Sequence, residues 1–204
     1  MSTKKIPLEP DKYYHIYNHG NANDDLFLEE KNYKFFLTRF YQYANSVSET
    51  FAYCLLPNHF HFLIKIKSET ELEKIYLKKY PRQNLQGLEE LTAYTSRQFS
   101  NFFNAYAKAF NKMYNRRGAL FIDAFERKEV KDRDYLIKLV HYIHYNPVHH
   151  GFVSKIEDWN FLSYNLIISG TDPNIRRKDV INWFEDLDNF IFYHQHKPDE
   201  LNIL

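Results

Sequence analysis

The chain has a single cysteine, only five glycines and almost no net charge, with 27 Lys/Arg against 26 Asp/Glu leaving a formal +1. The lone thiol, Cys54, excludes an internal disulfide and a cysteine-based zinc knuckle. It lies in an apolar stretch and reads as a buried, inert group. No apolar run approaches the roughly 20 residues of a membrane span, and the opening MSTKKIPLEP lacks a hydrophobic signal core. These absences predict a soluble cytoplasmic protein with no membrane partner. Balanced charge removes any global argument for a polyanion partner. No repeat or low-complexity tract interrupts the 204 residues, a length that suits one domain with an appendage.

Aromatic side chains are abundant: 17 Tyr and 18 Phe. Most of them predict a Phe/Tyr-rich core, and exposed ones would also stack on unpaired bases. Charge is unevenly spread. Arg97 to Arg133 holds nine basic and four acidic residues, whereas Arg176 to Leu204 holds four basic and six acidic. A basic middle and a mildly acidic tail fit a polyanion groove on one side of the molecule, or simply a solvated face.

Periodicity predicts strands over Tyr13–His19 and Phe51–Ile66, the second interrupted by Pro57-Asn58. It predicts helices over Glu29–Tyr43, Glu69–Lys79, Thr95–Asn115, Asp132–Asn146 and Lys178–His194. Gly118 is read as closing the third helix and Pro147 as stopping the fourth, with Asp132 as its cap. Pro81–Glu90 reads as a loop, and Leu120–Val130 as one or two strands around a short turn. The sum is an α+β protein, an antiparallel sheet with helices mainly on one face and a C-terminal extension.

Two constellations carry chemistry. In His59-Phe60-His61, strand alternation sends both imidazoles to one face, about 7 Å apart, and puts Phe60 in line with Phe62, Ile64 and Ile66 on the other. Two histidines so placed can share a divalent ion if a third ligand comes from elsewhere; they can equally be polar residues on a solvated sheet face. In HYIHYNPVHHGFV, Tyr142 and Asn146 stand one helical turn apart, with Lys138 one turn earlier on the same face. The row offers a phenolic nucleophile, an amide oxygen for a metal and a cation for a phosphate. Core packing accounts for Tyr142 as well, and Tyr145 is a competing phenol rotated off the Asn146 row.

In order and spacing, CLLPNHFHFLIKI followed by YIHYNPVHHGFV resembles the single-tyrosine HUH transposases of insertion sequences, and most closely the REP-associated tyrosine transposases. YYHIYNHGNANDDLF resembles that family's first strand and loop, FNAYAKAFNKMYNRRGALFIDAFERKEV its basic helix and hairpin, and DWNFLSYNLIISG its stretch after the tyrosine helix. The resemblance implies a ferredoxin-like, RRM-like HUH core over residues 1–151, with residues 152–204 as an extension packed on or beside it. It implies His59 and His61 as ligands of Mg²⁺ or Mn²⁺, Asn146 as the third ligand, and Tyr142 as nucleophile. It also implies cleavage and rejoining of single-stranded DNA through a 5′-phosphotyrosine, on hairpin-forming palindromic repeats.

Two further assignments come from the residues alone, and a third, the oligomeric state, from the resemblance together with the extension. Lys138 is expected to hold a phosphate. Lys108, Lys112 and Arg116, spaced four apart with Arg117 beside them, form a candidate stripe for the DNA backbone. The extension favours a monomer over a homodimer. The rival readings are a hairpin-binding protein without transposition activity, a small metal-dependent hydrolase in which Tyr142 is structural, and an aromatic-rich interaction domain.

Overall fold

In a computed structural model of the chain, described over residues 6–123 and 125–198, four strands form one antiparallel sheet. They are β1 (Tyr13–His19), β2 (Ser48–Leu56), β3 (His59–Ile66) and β4 (Glu126–Val130), in the order β2-β3-β1-β4. Residues 1–5 and Asp199 and Glu200 of the acidic tail lie outside the described residues. Among the described residues seven α-helices accompany the sheet: α1 (Glu30–Tyr43), α2 (Glu69–Lys79), α3 (Leu88–Met113), α4 (Arg133–His149), α5 (Ser163–Ser169), α6 (Arg177–Trp183) and α7 (Leu187–His194). This is the α+β antiparallel architecture expected.

Strand alternation divides the sheet into two unlike faces. Phe60 and Phe62 of β3 pair across the sheet with Asn18 and Ile16 of β1, and α1 and α3 cover that side. Phe40 stacks on Phe62 with ring centroids 4.1 Å apart, Phe36 lies 5.1 Å from Phe60, and Phe103 lies 5.7 Å from Phe60. All of these rings are buried. The helix that carries Tyr142, α4, packs on β2 and β3 from the opposite side, against His15, His59 and His61.

Pro57-Asn58 proves to be the two-residue turn joining β2 to β3, with Leu56 opposite His59. The backbone around it is tightly tied: Leu26 and Phe27 N–H both donate to the Pro57 carbonyl, and Gly20 N–H donates to the Asn58 carbonyl at 2.7 Å. At Gly20 a β-carbon would stand 1.9 Å from the Asp24 carbonyl oxygen. No side chain fits there without moving the Asp24 backbone in the loop that follows β1.

β2 is an edge strand, and an open edge invites unwanted pairing. Here the C-terminal segment closes it: Leu55 N–H donates to the Phe161 carbonyl, Leu162 bridges Cys54, and Ile175 bridges Thr50. Ser163 accepts from the Tyr53 N–H at 2.9 Å.

Several boundaries differ from the periodicity reading. α3 begins at Leu88, after Gly87, with Glu89 and Glu90 in its first turn, where acidic side chains complement the helix dipole. Its last helical residue is Met113, so Arg116 and Arg117 fall beyond it. Pro147 does not stop α4 but lies inside it. Its missing N–H removes one hydrogen bond in the last turn, and the helix ends at His149 before Gly151 at φ 73°. The region 178–194 forms two helices, α6 and α7, separated at Glu185, whose φ of 74° breaks the helical path. Among the described residues between Leu120 and Val130 one strand forms, β4, with Phe121 bridging Gly20.

Candidate metal centre and nucleophile

Strand and helix bring the four residues singled out in the sequence to one place. His59 and His61 point from β3 toward α4, with ring centroids 5.3 Å apart. Tyr142 meets His61 edge-to-face at 5.6 Å. One turn on, Asn146 lies beside both His59 and Tyr142, and its Nδ2 donates to the Tyr142 carbonyl at 2.8 Å. His59, His61 and Asn146 are buried, and Tyr142 is half-buried.

The hydrogen bonds leave the right atoms free. His59 Nδ1 is 2.7 Å from Asn58 Oδ1; an amide oxygen can only accept, so Nδ1 carries the hydrogen and Nε2 the lone pair. His61 Nδ1 is 2.9 Å from His15 Nε2, which leaves its Nε2 as the available nitrogen. The Asn146 Oδ1 is buried and has no hydrogen-bond partner. An orphaned buried oxygen beside the His59 imidazole fits a divalent cation, since buried acceptors otherwise find a donor. Among the described residues no group of three or more His, Cys, Asp or Glu could hold a metal ion.

Burial sets the electrostatics. It pushes His59 down to about 3 and His61 well below the ordinary histidine range, with neighbouring imidazoles adding to the effect. Both therefore stay neutral, the form a metal requires. Burial raises the Tyr142 phenol above its ordinary value, and the Asn146 amide beside it opposes the shift. An unassisted Tyr142 thus holds its proton at neutral pH.

The other phenol, Tyr145, faces elsewhere, lining a cleft with Ile191 and Gln195 of the C-terminal region. Lys138 is half-buried one turn before Tyr142 on α4. Lys108 and Lys112 are exposed on one side of α3. Arg116 does not continue their row: it pairs with Asp24 and donates to Asn111 Oδ1 at 2.8 Å. Arg117 is exposed beyond the helix.

The periodicity reading missed the histidines of β1. His15 and His19 share the face of His59 and His61, because Tyr17 pairs with His61 and His19 with His59. His19 stacks on His59 at 4.9 Å, and His150, at the end of α4, approaches His59 edge-on at 4.9 Å. The signal was present: in YYHIYNH the period of two puts Tyr13, His15, Tyr17 and His19 on one side.

No family model matches the chain. A Haemophilus influenzae protein whose name assigns it to the REP-associated tyrosine transposases is 28% identical over 143 residues, 65% of this chain and 73% of that protein. A solved structure of a REP-associated tyrosine transposase bound to a REP hairpin matches with a TM-score of 0.58 at 14% identity, over 85% of this chain and 88% of that one. At that identity the second match speaks for the fold, and the first for homology. The resemblance read from the motifs is borne out by the first match, and the antiparallel α+β fold by the second.

Proposed function

We propose that this chain, a homologue of REP-associated tyrosine transposases, cleaves and rejoins single-stranded DNA at hairpin-forming repeats, with Tyr142 as nucleophile. The observation that carries this reading is the convergence of Tyr142, His59, His61 and the unpartnered Asn146 oxygen between β3 and α4.

His59 Nε2, His61 Nε2 and Asn146 Oδ1 would hold Mg²⁺ or Mn²⁺; an amide oxygen suits a hard cation. When bound, such an ion polarises the phosphodiester and offsets developing charge. Tyr142 Oη forms a bond to the DNA phosphorus as the bond to the 3′-oxygen breaks. The strand then carries its 5′-phosphate on Tyr142; the phenol proton leaves to solvent as the Oη–P bond forms, and the departing 3′-oxygen takes one up to become a hydroxyl. Because the phosphotyrosine retains the bond energy, a second 3′-hydroxyl can displace it and restore a phosphodiester without ATP. One tyrosine allows one covalent link at a time.

α4 orients both Tyr142 and Asn146, so nucleophile and third ligand move as one rigid unit. Lys138 would meet the phosphate backbone next to the cut. Lys108, Lys112 and Arg117 offer exposed charge for a duplex stem, with Arg116 already committed to Asp24. The extension packs on β2 and α4 of the same chain, which favours a monomer. Among the described residues no helix is long and apolar enough to cross a membrane.

The test is cleavage of end-labelled hairpin single strands. Native protein with Mn²⁺ should release a 3′-hydroxyl fragment, and EDTA or His61→Ala should abolish it. Hairpin binding with no cleavage under any divalent ion would leave a binding protein, and cleavage to free 5′-phosphate a hydrolase.

A further inference from the structure

The contact between His15 and His61 is left over once nucleophile and ligands have been assigned. We propose that His15 is a positioning residue: its Nε2 accepts a hydrogen bond from His61 Nδ1 and fixes the ring and tautomer in which His61 Nε2 can take a divalent ion. The inference deepens the metal-site reading and rests on it.

Each neutral imidazole carries one N–H, so the 2.9 Å contact can run in two senses. In one, His61 Nδ1–H donates to His15 Nε2, and His61 Nε2 keeps its lone pair. In the other, His15 donates and the His61 hydrogen sits on Nε2, where it blocks ligation. Only the first sense matches His59, whose Nδ1 is tied to an oxygen that cannot donate. Both ligand histidines then have the same arrangement, Nδ1 anchored and Nε2 free. Outer hydrogen-bond partners of this kind set the orientation and basicity of metal-bound imidazoles.

His15 is built to hold its place. It is fully buried on the central strand β1, stacked on Tyr17 at 4.7 Å and on His61 at 5.1 Å. The edge of Tyr142 approaches it at 6.5 Å. It is not the residue directly opposite His61, which is Tyr17; it pairs with Leu63 and reaches His61 diagonally. Its own Nδ1 is buried without a partner. An apolar residue would fill this position without that unpaired nitrogen, so packing alone does not account for an imidazole here.

The test compares Mn²⁺ binding, by calorimetry and electron paramagnetic resonance, in DNA-free native protein, His15→Phe, His15→Gln and His61→Ala. Phenylalanine keeps a flat ring of somewhat larger size and loses the acceptor, whereas glutamine places an amide oxygen near the former Nε2. We expect His15→Phe to weaken Mn²⁺ by roughly 10–100-fold and His15→Gln to stay within about threefold of native. A purely structural role would lower the melting temperature of His15→Phe and leave the Mn²⁺ affinity of the folded protein unchanged.

Nitrogen NMR of the native protein loaded with Mg²⁺ provides a readout that needs no variant to fold; it should place the His61 hydrogen on Nδ1. Native-like Mn²⁺ affinity in His15→Phe, an equal loss in His15→Gln, or a loaded His61 protonated on Nε2 would each overturn the proposal. If native protein binds no Mn²⁺, or His61→Ala binds as well as native, the metal-site reading falls and takes this one with it. If native protein binds through His61 while His15→Phe is indifferent, only the role of His15 is lost.

Discussion

Metal-free protein should lose most of its stability between pH 7 and pH 5, because the fold buries histidines in their neutral form. His15, His59 and His194 are pushed down to about 3 by burial, and His61 and His144 lie well below the ordinary range for the same first cause. The unfolded chain takes up a proton on each near pH 6.5, and the folded chain does not. A lowered folded value means that the stability is whole above pH 6.5 and falls as the pH drops toward the folded value. For a shift from 6.5 to about 3, the loss between pH 7 and pH 5 is about 2 kcal/mol per histidine.

Two pairs are hydrogen-bonded, His15 with His61 and His144 with His194, each at 2.9 Å. If each pair tolerated one proton when folded, three protons would separate the states rather than five. The expected loss is therefore about 6 kcal/mol, comparable to the whole stability of an ordinary domain. Ordinary carboxylates titrate near pH 4 and contribute little in this window. Urea melts in EDTA at pH 7, 6 and 5, followed by circular dichroism, measure the effect. A loss under about 2 kcal/mol over that range would refute the reasoning, since even one such histidine accounts for that much.

Asn146→Ala should weaken Mn²⁺ binding by at least tenfold while Asn146→Asp preserves or tightens it, read by calorimetry, because a carboxylate oxygen replaces the amide as a harder ligand. Lys138→Ala should lower both hairpin affinity and cleavage and reduce the slope of affinity against salt by about one contact, measured by fluorescence anisotropy at several salt concentrations. Unchanged affinity and cleavage would remove Lys138 from the phosphate contacts.

The parts of the molecule legible in the sequence are those with a strict local period. Phe60, Phe62, Ile64 and Ile66 alternate with the histidines, and Tyr142 and Asn146 stand one turn apart; neither relation needs tertiary information. What escaped reading was set by the competition of local signals with packing. Pro147 looks like a stop, yet α4 continues because a proline in the last turn removes only one donor. Arg116 looks like the next step of the Lys108–Lys112 row, but α3 ends at Met113 and Asp24 draws the guanidinium away. His15 was legible as a residue on the site face but not as a partner of His61. That contact is diagonal across two strands 46 residues apart in sequence, and only the register discloses it.

The central claim is that the Tyr142 oxygen attacks DNA. Its most direct test is to incubate the native chain with a labelled hairpin single strand and Mn²⁺, then map any covalent protein–DNA adduct by peptide mass spectrometry. The account predicts one adduct, with the strand's 5′-phosphate on Tyr142, and none in Tyr142→Phe at unchanged hairpin affinity. An adduct that survives Tyr142→Phe, or that maps to Tyr145 or Tyr17, would contradict it.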